Sequence, residues 1–343
     1  MVIESRKNSG RVINMSILTI YPNCSLGGMT SVYLNRCLEQ PNEKFSFIFN
    51  NDKGGKNAFS ALTNADTRIV RKDRILPYLK YILSTIEIKY DEIRVTSLPD
   101  LPLAIKSSSS IKVIYEFHTS SLDIITKELN GLSLESVDEI WVPSLYLKYI
   151  VSSILDNDIK VKVIRNLANS SIFNLETAPT VNFKFPSDKI PIFWIGRFDK
   201  GKNYKDFLRA LSLLDDKYVG YIILSMEKEP NRYAEALGDV AIHQLTDRVK
   251  FLLNLTQQEV ADLYKNAYEV GGIFCSTSLA ESFGYGVLEA AMTGLPVVAY
   301  DVGALSEHLD YGYKIKMINV GDTLELANAI RDIDVERISK QIY

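Results

Sequence analysis

Short runs of β-branched and aliphatic residues alternate with longer helical patterns along most of the chain. In the first half, the strand-like runs are Ile17–Ile20, Phe45–Phe49, Ile93–Thr96, Lys112–Phe117, Glu139–Val142 and Val161–Ile164. Apolar runs separated by helical patterns predict βαβ units on a parallel sheet. We therefore expect an α/β fold.

The alternation stops after Asn166 and starts again at Ile192, and the polar stretch at 167–189 between them contains two prolines. Such a stretch is suited to a connection between domains. The second series of strand-like runs is Ile192–Ile195, Tyr218–Leu224, Val249–Leu252, Gly272–Phe274 and Pro296–Ala299. The predicted organisation is a tail at 1–14, an N-terminal Rossmann-like domain at 15–168, a linker at 169–188, a C-terminal Rossmann-like domain at 189–320 and a C-terminal helix at 321–343 that packs back on the N-terminal domain.

Composition narrows the class of protein. A length of 343 residues suits two domains. With 39 Lys plus Arg against 42 Asp plus Glu, the net charge of -3 gives no electrostatic case for a nucleic-acid partner. Three cysteines and three histidines form no metal-binding or disulfide signature, and no apolar stretch is long enough to cross a membrane. We expect a cytoplasmic protein without a structural metal.

Two doubly wound domains leave a cleft between them, and parallel sheets bind ligands beyond the carboxyl ends of their strands. The most informative loop is in the segment SLAESFGYGVLEAAMTGLPVV at 278–298. Glu281 lies in a loop with Gly284 and Gly286, and Glu289 lies on the helix that follows. The glycines and the helix N-terminus favour a phosphate, and a carboxylate suits a vicinal diol. The pattern indicates a sugar nucleotide.

A purely structural interpretation of the two glutamates stays open at this point. Glu281 could cap the helix, and Glu289 could be a solvated surface residue. The spacing of eight residues does not decide between a structural and a binding role, because Glu227 and Glu235 show the same spacing elsewhere in the chain.

Two cations follow the first strand of the second domain. Arg197 and Lys202 lie five residues apart in the segment IFWIGRFDKGKNYKDFLRALSLL at 192–214. A guanidinium and an ammonium at a strand's carboxyl end could neutralise a diphosphate leaving group. The alternatives are a solvated basic loop, or Lys200 in the place of Lys202.

The first domain offers weaker candidates. Gly27 and Gly28 lie between the first strand and the first helix, where a tight turn explains them as well as ligand contact does. His118 follows an apolar strand and could equally be structural. Neither G-K-[ST] nor G-x-G-x-x-G is present, which argues against a nucleotide-dependent dehydrogenase.

The segment at 278–298 resembles the E-x7-E block of the retaining glycosyltransferases of family 4, which have the two-domain GT-B architecture. The resemblance implies that Glu289 holds the nucleotide ribose and Glu281 the donor sugar. It also implies that backbone amides around Phe283, Gly284 and Tyr285 bind the diphosphate and the sugar.

The same resemblance assigns roles to the weaker candidates. It implies that His118 contacts the donor sugar, that Gly27 and Gly28 lie near the diphosphate, and that Arg197 and Lys202 stabilise the departing diphosphate. Asn254 lies at the base-binding region, where the family often has a preceding glycine that is missing here. The base of the nucleotide is therefore left open, with UDP among the candidates.

The implied activity is transfer of a sugar from a nucleoside-diphosphate sugar to an acceptor hydroxyl, with retention, by a same-face route and without a metal or other cofactor. The expected acceptor is a glycan, a lipid-linked molecule or another precursor of a surface polysaccharide. A GT-B-like sugar-nucleotide epimerase and a non-catalytic sugar-nucleotide-binding partner of another transferase are the alternatives.

One segment of the first domain suggests a membrane contact. Residues 68–89 carry six basic side chains against two acidic ones, with Tyr78 and Tyr81 among aliphatic residues. Such a segment could rest on the anionic inner face of a membrane. The competing interpretation is a solvated helix that packs by its apolar stripe.

Overall fold

The computed structural model describes residues 15–25, 27–85, 89–155, 161–224 and 230–342. The predicted tail at 1–14 lies outside these residues. Two parallel sheets, each covered by helices, account for most of the described chain. This confirms the predicted architecture of two Rossmann-like domains.

The N-terminal sheet has seven strands in the order β3-β2-β1-β4-β5-β6-β7. Its strands are β1 (Ser16–Ser25), β2 (Lys44–Lys53), β3 (Ala65–Ile69), β4 (Glu92–Thr96), β5 (Lys112–Glu116), β6 (Glu139–Val142) and β7 (Val161–Val163). Its helices are α1 (Gly28–Glu39), α2 (Ile75–Ser84), α3 (Leu101–Lys106), α4 (Leu122–Gly131) and α5 (Leu145–Ile154). β3 was not predicted, because this edge strand reads ADTRI and has no apolar run.

The C-terminal sheet has six strands in the order β10-β9-β8-β11-β12-β13. Its strands are β8 (Ile190–Ile195), β9 (Tyr218–Leu224), β10 (Val249–Leu253), β11 (Ile273–Ser276), β12 (Val297–Tyr300) and β13 (Ile315–Ile318). Its helices are α6 (Tyr204–Ser212), α7 (Pro230–Ile242), α8 (Gln257–Glu269), α9 (Tyr285–Met292) and α10 (Thr323–Ile342). β13 is a second edge strand that the sequence pattern missed.

The connection between the sheets packs on the C-terminal domain. Phe173 is 1% exposed and belongs to that domain's core. Further along, Asp262 on α8 accepts hydrogen bonds from Thr180 Oγ1 at 2.5 Å and from the Val181 N–H at 3.0 Å. The predicted linker therefore runs along the surface of the second domain.

The last helix, α10, also packs on the C-terminal domain over its first part. It contacts α6, and Asp334 is buried beside Lys217 and Tyr218, with 2.9 Å between the Lys217 ammonium and the Asp334 carboxylate. A return of this helix to the N-terminal domain is not observed as far as Asp334, and beyond it stays a prediction.

The strand orders locate the cleft. In each sheet the order reverses between two central strands, β1 and β4 in the first and β8 and β11 in the second. Ligands of doubly wound sheets bind at this switch point, outside the carboxyl ends of the strands. A small apolar cluster of Ala168, Phe283 and Leu288 joins the domains beside this cleft.

Candidate functional site

An ion pair joins the loops that follow β8 and β11. Lys202 Nζ lies 2.5 Å from Glu281 Oε1, and the two side chains are 29% and 13% exposed. The backbone holds the loops together, since the Leu279 N–H donates to the Gly201 carbonyl at 2.8 Å and Thr277 Oγ1 to the Asn203 carbonyl at 2.8 Å. Two residues predicted from separate segments are thus brought together at the switch point.

Arg197 takes a different position on the same loop. Its side chain is 73% exposed and pairs with Asp199 at 2.9 Å, while Asp199 Oδ1 also accepts the Lys202 N–H at 3.0 Å. Lys200 is exposed. The structure therefore separates Arg197 from the Lys202–Glu281 pair.

Two glycines shape the loop that carries Glu281. Gly303 has a φ of +57°, and a Cβ there would lie 2.0 Å from the Glu281 carbonyl oxygen, which accepts the Ala304 N–H at 3.0 Å. Gly284 precedes α9 with a φ of +89°, and a Cβ there would lie 2.2 Å from Leu305. Only glycine fits either position without displacement of its neighbour.

The N-terminus of α9 opens at this loop. Its first N–H groups have no partner within the helix, so the positive end of the helix dipole is available to an anion. Phe283 precedes Gly284, and its ring is buried between Tyr285 and His308. His308 Nε2 lies 2.7 Å from the Phe283 carbonyl oxygen and helps to hold the loop. The sequence interpretation had given no role to His308.

Glu289 lies on the buried side of α9. Its residue is 7% exposed, and no hydrogen-bond donor reaches its carboxylate among the residues that the structure describes. Burial raises the pKa of Glu289 to about 8. The hydroxyl of the buried Tyr264 also has no hydrogen-bond partner, and burial and then the charge of Glu289 raise the pKa of this tyrosine. Glu289 is thus not a surface residue, and its buried carboxyl group lacks the hydrogen bonds that a core glutamate usually has.

His118 reaches the cleft from the end of β5. Its Nε2 lies 3.0 Å from Glu116 Oε2, and its Nδ1 is buried without a hydrogen-bond partner. Ser282, next to Glu281, donates its hydroxyl to the His118 carbonyl at 2.7 Å. His118 is therefore brought against the loop of Glu281.

The first loop also meets the second domain. Gly27 caps α1, and its carbonyl accepts the N–H groups of Thr30 and Ser31 at 3.1 and 3.3 Å. A Cβ on Gly28 would lie 3.9 Å from the ring of Tyr285. Gly28 thus lies at the domain interface, and Gly27 precedes it as the cap of α1.

Asn254 lies at the exposed end of β10 with a φ of +57°. Its N–H donates to the Leu224 carbonyl at 2.9 Å, which extends the pairing of β10 with β9. This hydrogen bond gives the backbone of Asn254 a structural role. A role of its side chain in binding the base stays a prediction.

Polar contacts that the sequence did not reveal join the domains. Glu307 accepts the N–H groups of Leu145 and Tyr146 at 3.0 and 2.8 Å, at the N-terminus of α5, and pairs with Arg165 at 3.1 Å. Arg165 also lies over the ring of Tyr311, 4.0 Å from its centroid. A glutamate at this position was visible in the sequence, but nothing there indicated its partner.

A second interdomain contact lies at the mouth of the cleft. Gln257 Nε2, at the start of α8, donates to Ser31 Oγ on α1 at 3.0 Å. Together with the contacts of Glu307 and Ser282, this bond brings the carboxyl ends of the two sheets face to face.

Two facing Rossmann-like domains with a site at their switch points define the GT-B fold of glycosyltransferases. Residues 189–333, which contain most of the second domain, match the model of the family described as glycosyl transferases group 1.

Two curated proteins are similar to part of the chain. A probable sucrose-phosphate synthase of Thermosipho melanesiensis is 30% identical over 186 residues, 54% of this chain and 42% of that protein. An uncharacterized 41.2 kDa protein in the cps region of Klebsiella pneumoniae is 26% identical over 229 residues, 62% of this chain and 58% of that protein. The chain thus spans about half the length of these curated relatives.

A solved structure shares the fold over nearly the whole chain. The crystal structure of Anabaena HepE in complex with UDP and glucose has a TM-score of 0.78 at 17% sequence identity, and the match covers 93% of this chain and 89% of that one.

Two searches of the described residues concern other kinds of site. None of the helices described is both long enough and apolar enough to cross a membrane. Within the same residues, no group of three or more His, Cys, Asp or Glu side chains is arranged to hold a metal ion.

Proposed function

We propose that the protein is a retaining glycosyltransferase of family 4 that transfers a sugar from a nucleoside-diphosphate sugar to an acceptor hydroxyl. The observation that carries this proposal is the buried carboxylate of Glu289, which has no donor in the described protein and lies on the helix that opens beside the Lys202–Glu281 pair. A ribose diol would supply the missing hydrogen bonds. UDP is the first nucleotide to test, because HepE was crystallised with UDP.

The charges of the site suit a departing diphosphate. Lys202 would exchange Glu281 for phosphate oxygens, and the N–H groups at the start of α9 would bind the same anion. Glu281 would then be free to accept hydrogen bonds from sugar hydroxyls. Arg197, exposed in this structure, would have to leave Asp199 to reach the diphosphate.

Retention by a same-face route is the preferred mechanism. The leaving phosphate would assist deprotonation of the incoming hydroxyl while the glycosidic bond breaks and the new bond forms on the same face. Glu116 is buried and paired with Arg36, and Glu281 is proposed to bind hydroxyls of the donor sugar, so neither carboxylate is assigned as an enzymic nucleophile. A covalent glycosyl-enzyme trapped on any side chain would contradict this route.

The proposed acceptor is a glycan or a lipid-linked precursor of a surface polysaccharide, bound by the N-terminal domain. On α2, Ile75, Leu79 and Ile82 are buried in that domain, whereas Tyr81 is 66% exposed. The apolar stripe of α2 therefore packs into the domain, as the competing interpretation expects. A contact with the inner membrane face would have to use the outward side of this helix, which carries Tyr81. Flotation with and without anionic liposomes tests this contact, and no binding at low salt would remove it.

The first experiment is a thermal-shift panel of UDP, GDP, ADP, dTDP and CMP in the presence of EDTA. A ligand at 100 times its Kd adds about 2.7 kcal/mol of stability. We expect one diphosphate to stabilise the protein without metal. Transfer is then measured with the matching sugar nucleotide and a panel of acceptors, with product anomers assigned by NMR.

The same assay separates the alternatives. An epimerase would convert the sugar nucleotide in the absence of acceptor. A non-catalytic binding partner would be stabilised by nucleotide but would form no product with any acceptor. Stabilisation that requires a divalent cation would contradict the proposed metal independence.

A further inference from the structure

A buried row of hydrogen bonds runs from α1 to the cleft. Arg36 Nη1 lies 2.8 Å from Glu116 Oε1 and 3.0 Å from Oε2, and Glu116 Oε2 lies 3.0 Å from His118 Nε2. The side chains are 8%, 0% and 9% exposed in this order. All three are therefore removed from solvent, and each depends on its neighbour for hydrogen bonds.

These hydrogen bonds determine the ionisation of Glu116 and the ring nitrogen of His118 that carries a hydrogen. Burial alone would raise the pKa of Glu116, but Arg36, His118 and Arg94 together hold it well below its usual range. Glu116 is thus a carboxylate and can only accept hydrogen bonds. The bond to His118 consequently requires the hydrogen on Nε2, and in a neutral imidazole this leaves a lone pair on Nδ1.

The other ring nitrogen is unsatisfied. His118 Nδ1 is buried and has no hydrogen-bond partner among the described residues, although the residue itself is held against the loop of Glu281 by Ser282. Buried polar atoms in folded proteins almost always have a partner. A bound molecule is the natural source of one.

We propose that Glu116, held by Arg36, is a positioning residue that keeps His118 in the tautomer with hydrogen on Nε2, so that Nδ1 accepts a hydrogen bond from a hydroxyl of the sugar bound between the domains. This inference rests on the proposed function for the identity of the ligand. It makes His118 select a hydroxyl donor at this point and disfavour a carboxylate, which cannot donate.

The tautomer can be read directly by NMR of protein labelled with 15N in its histidine rings, because the chain has three histidines. The spectrum is recorded without ligand at pH 8, and His118→Asn identifies the signals. We expect His118 to carry its hydrogen on Nε2 in the wild type. In Glu116→Gln the amide can donate as well as accept, so we expect a mixture of tautomers.

A matched control separates positioning from loss of a buried charge. Glu92, 4% exposed, pairs with Arg94 at 2.6 Å on β4 of the same sheet, and neither residue forms a hydrogen bond to His118 among the described residues. The charge of Arg94, which also acts on Glu116, is kept in Glu92→Gln. Glu92→Gln should therefore destabilise the domain as Glu116→Gln does, but leave the His118 tautomer unchanged. Hydrogen on Nδ1 in the wild type, or the same His118 spectrum in all three proteins, would overturn the proposal.

Kinetics supply the functional readout. Loss of the carboxylate that sets a histidine tautomer costs about 10⁴ in kcat where the histidine transfers a proton. Here the histidine binds the donor sugar without transferring a proton, so we expect Glu116→Gln to raise KM for the donor about 10-fold with kcat changed less than about 2-fold. An equal rise in KM in Glu92→Gln would show that the effect is structural. Absence of transfer by the wild type would contradict the proposed function and leave the NMR result to decide the tautomer.

Discussion

Two buried glutamates, Glu116 in the N-terminal domain and Glu289 in the C-terminal domain, lie in opposite environments. In the N-terminal domain, Glu116 is fully buried and paired with Arg36, so its pKa lies well below the usual range in spite of burial. In the C-terminal domain, Glu289 is buried with no hydrogen-bond donor among the described residues, and its pKa rises to about 8. The carboxylate of Glu116 is paired within the protein, whereas the carboxyl group of Glu289 has no partner among the described residues.

The largest effect we expect is a pH dependence of stability that the raised pKa of Glu289 causes. Because the folded pKa of Glu289 lies above its ordinary value of 4.5, the folded state binds an extra proton between these values. Its contribution to stability is full below about pH 4.5, falls as pH rises toward 8, and is constant above. The free energy of unfolding should decline by on the order of 2 to 4 kcal/mol between pH 5 and pH 8 through this group.

Urea denaturation of the ligand-free wild type and of Glu289→Gln at both pH values checks this. The amide does not titrate, so the variant should lose that part of the pH dependence. Glu116 does not interfere, because its lowered pKa removes stability only as pH falls below about 4.5. Glu269→Gln, on the exposed end of α8, is the matched control and should behave as the wild type. Identical slopes in all three proteins would mean that Glu289 is ionised without ligand.

The second effect concerns the ion pair that links the loops. Lys202→Ala removes a cation from the site proposed for the diphosphate, and loss of one such group costs on the order of 10²-fold in kcat. Lys200→Ala is the control, because Lys200 is exposed two residues away on the same loop. Steady-state transfer assays should show the loss in the first variant alone. A comparable loss in Lys200→Ala would return the role to the residue that the sequence offered as the alternative.

The sequence predicted the parts of the molecule that depend on local pattern. Apolar runs identified the central strands, and glycines beside carboxylates identified the loop of Glu281. The edge strands β3 and β13 were not predicted, because their sequences ADTRI and IKMI are short and interrupted by polar residues.

The contacts across the cleft could not be predicted, because they depend on how two separate sheets face each other. The bond of Glu307 to the start of α5 joins residues 162 positions apart in the chain. Arg36 and Glu116 lie 80 positions apart within the N-terminal domain, and their contact depends instead on the strand order of one sheet, since their residue types fit an exposed pair equally well. Lys202 and Glu281 were predicted individually, but their contact required the strand order around β8 and β11.

The third prediction concerns the close approach of Gly303 to the backbone of the loop that carries Glu281. Gly303→Ala places a methyl group 2.0 Å from the Glu281 carbonyl at a positive φ, so the loop must shift. We expect a loss of about 2 kcal/mol in the free energy of unfolding. Gly312→Ala has a φ of +81° but no atom within 4 Å of the new Cβ, and it isolates the backbone cost. If thermal denaturation shows equal losses, the close approach to Glu281 contributes nothing.

The smallest effect we expect concerns the contact between Glu307 and the start of α5, which joins the two domains. The prediction tests whether this contact can be lost without unfolding α5. Glu307→Ala removes an acceptor from two N–H groups of α5, whereas Ser144→Ala removes the helix cap inside the N-terminal domain, where Ser144 Oγ accepts the Leu147 N–H at 3.1 Å. A helix cap contributes about 1 kcal/mol. Hydrogen exchange should therefore show faster exchange at Leu145 and Tyr146 in Glu307→Ala with little change in the rest of α5, while Ser144→Ala should speed exchange at Leu147 and through the first turn. Unchanged exchange at Leu145 and Tyr146 in Glu307→Ala would mean that water replaces the carboxylate at no cost, so this contact would not hold the two domains together.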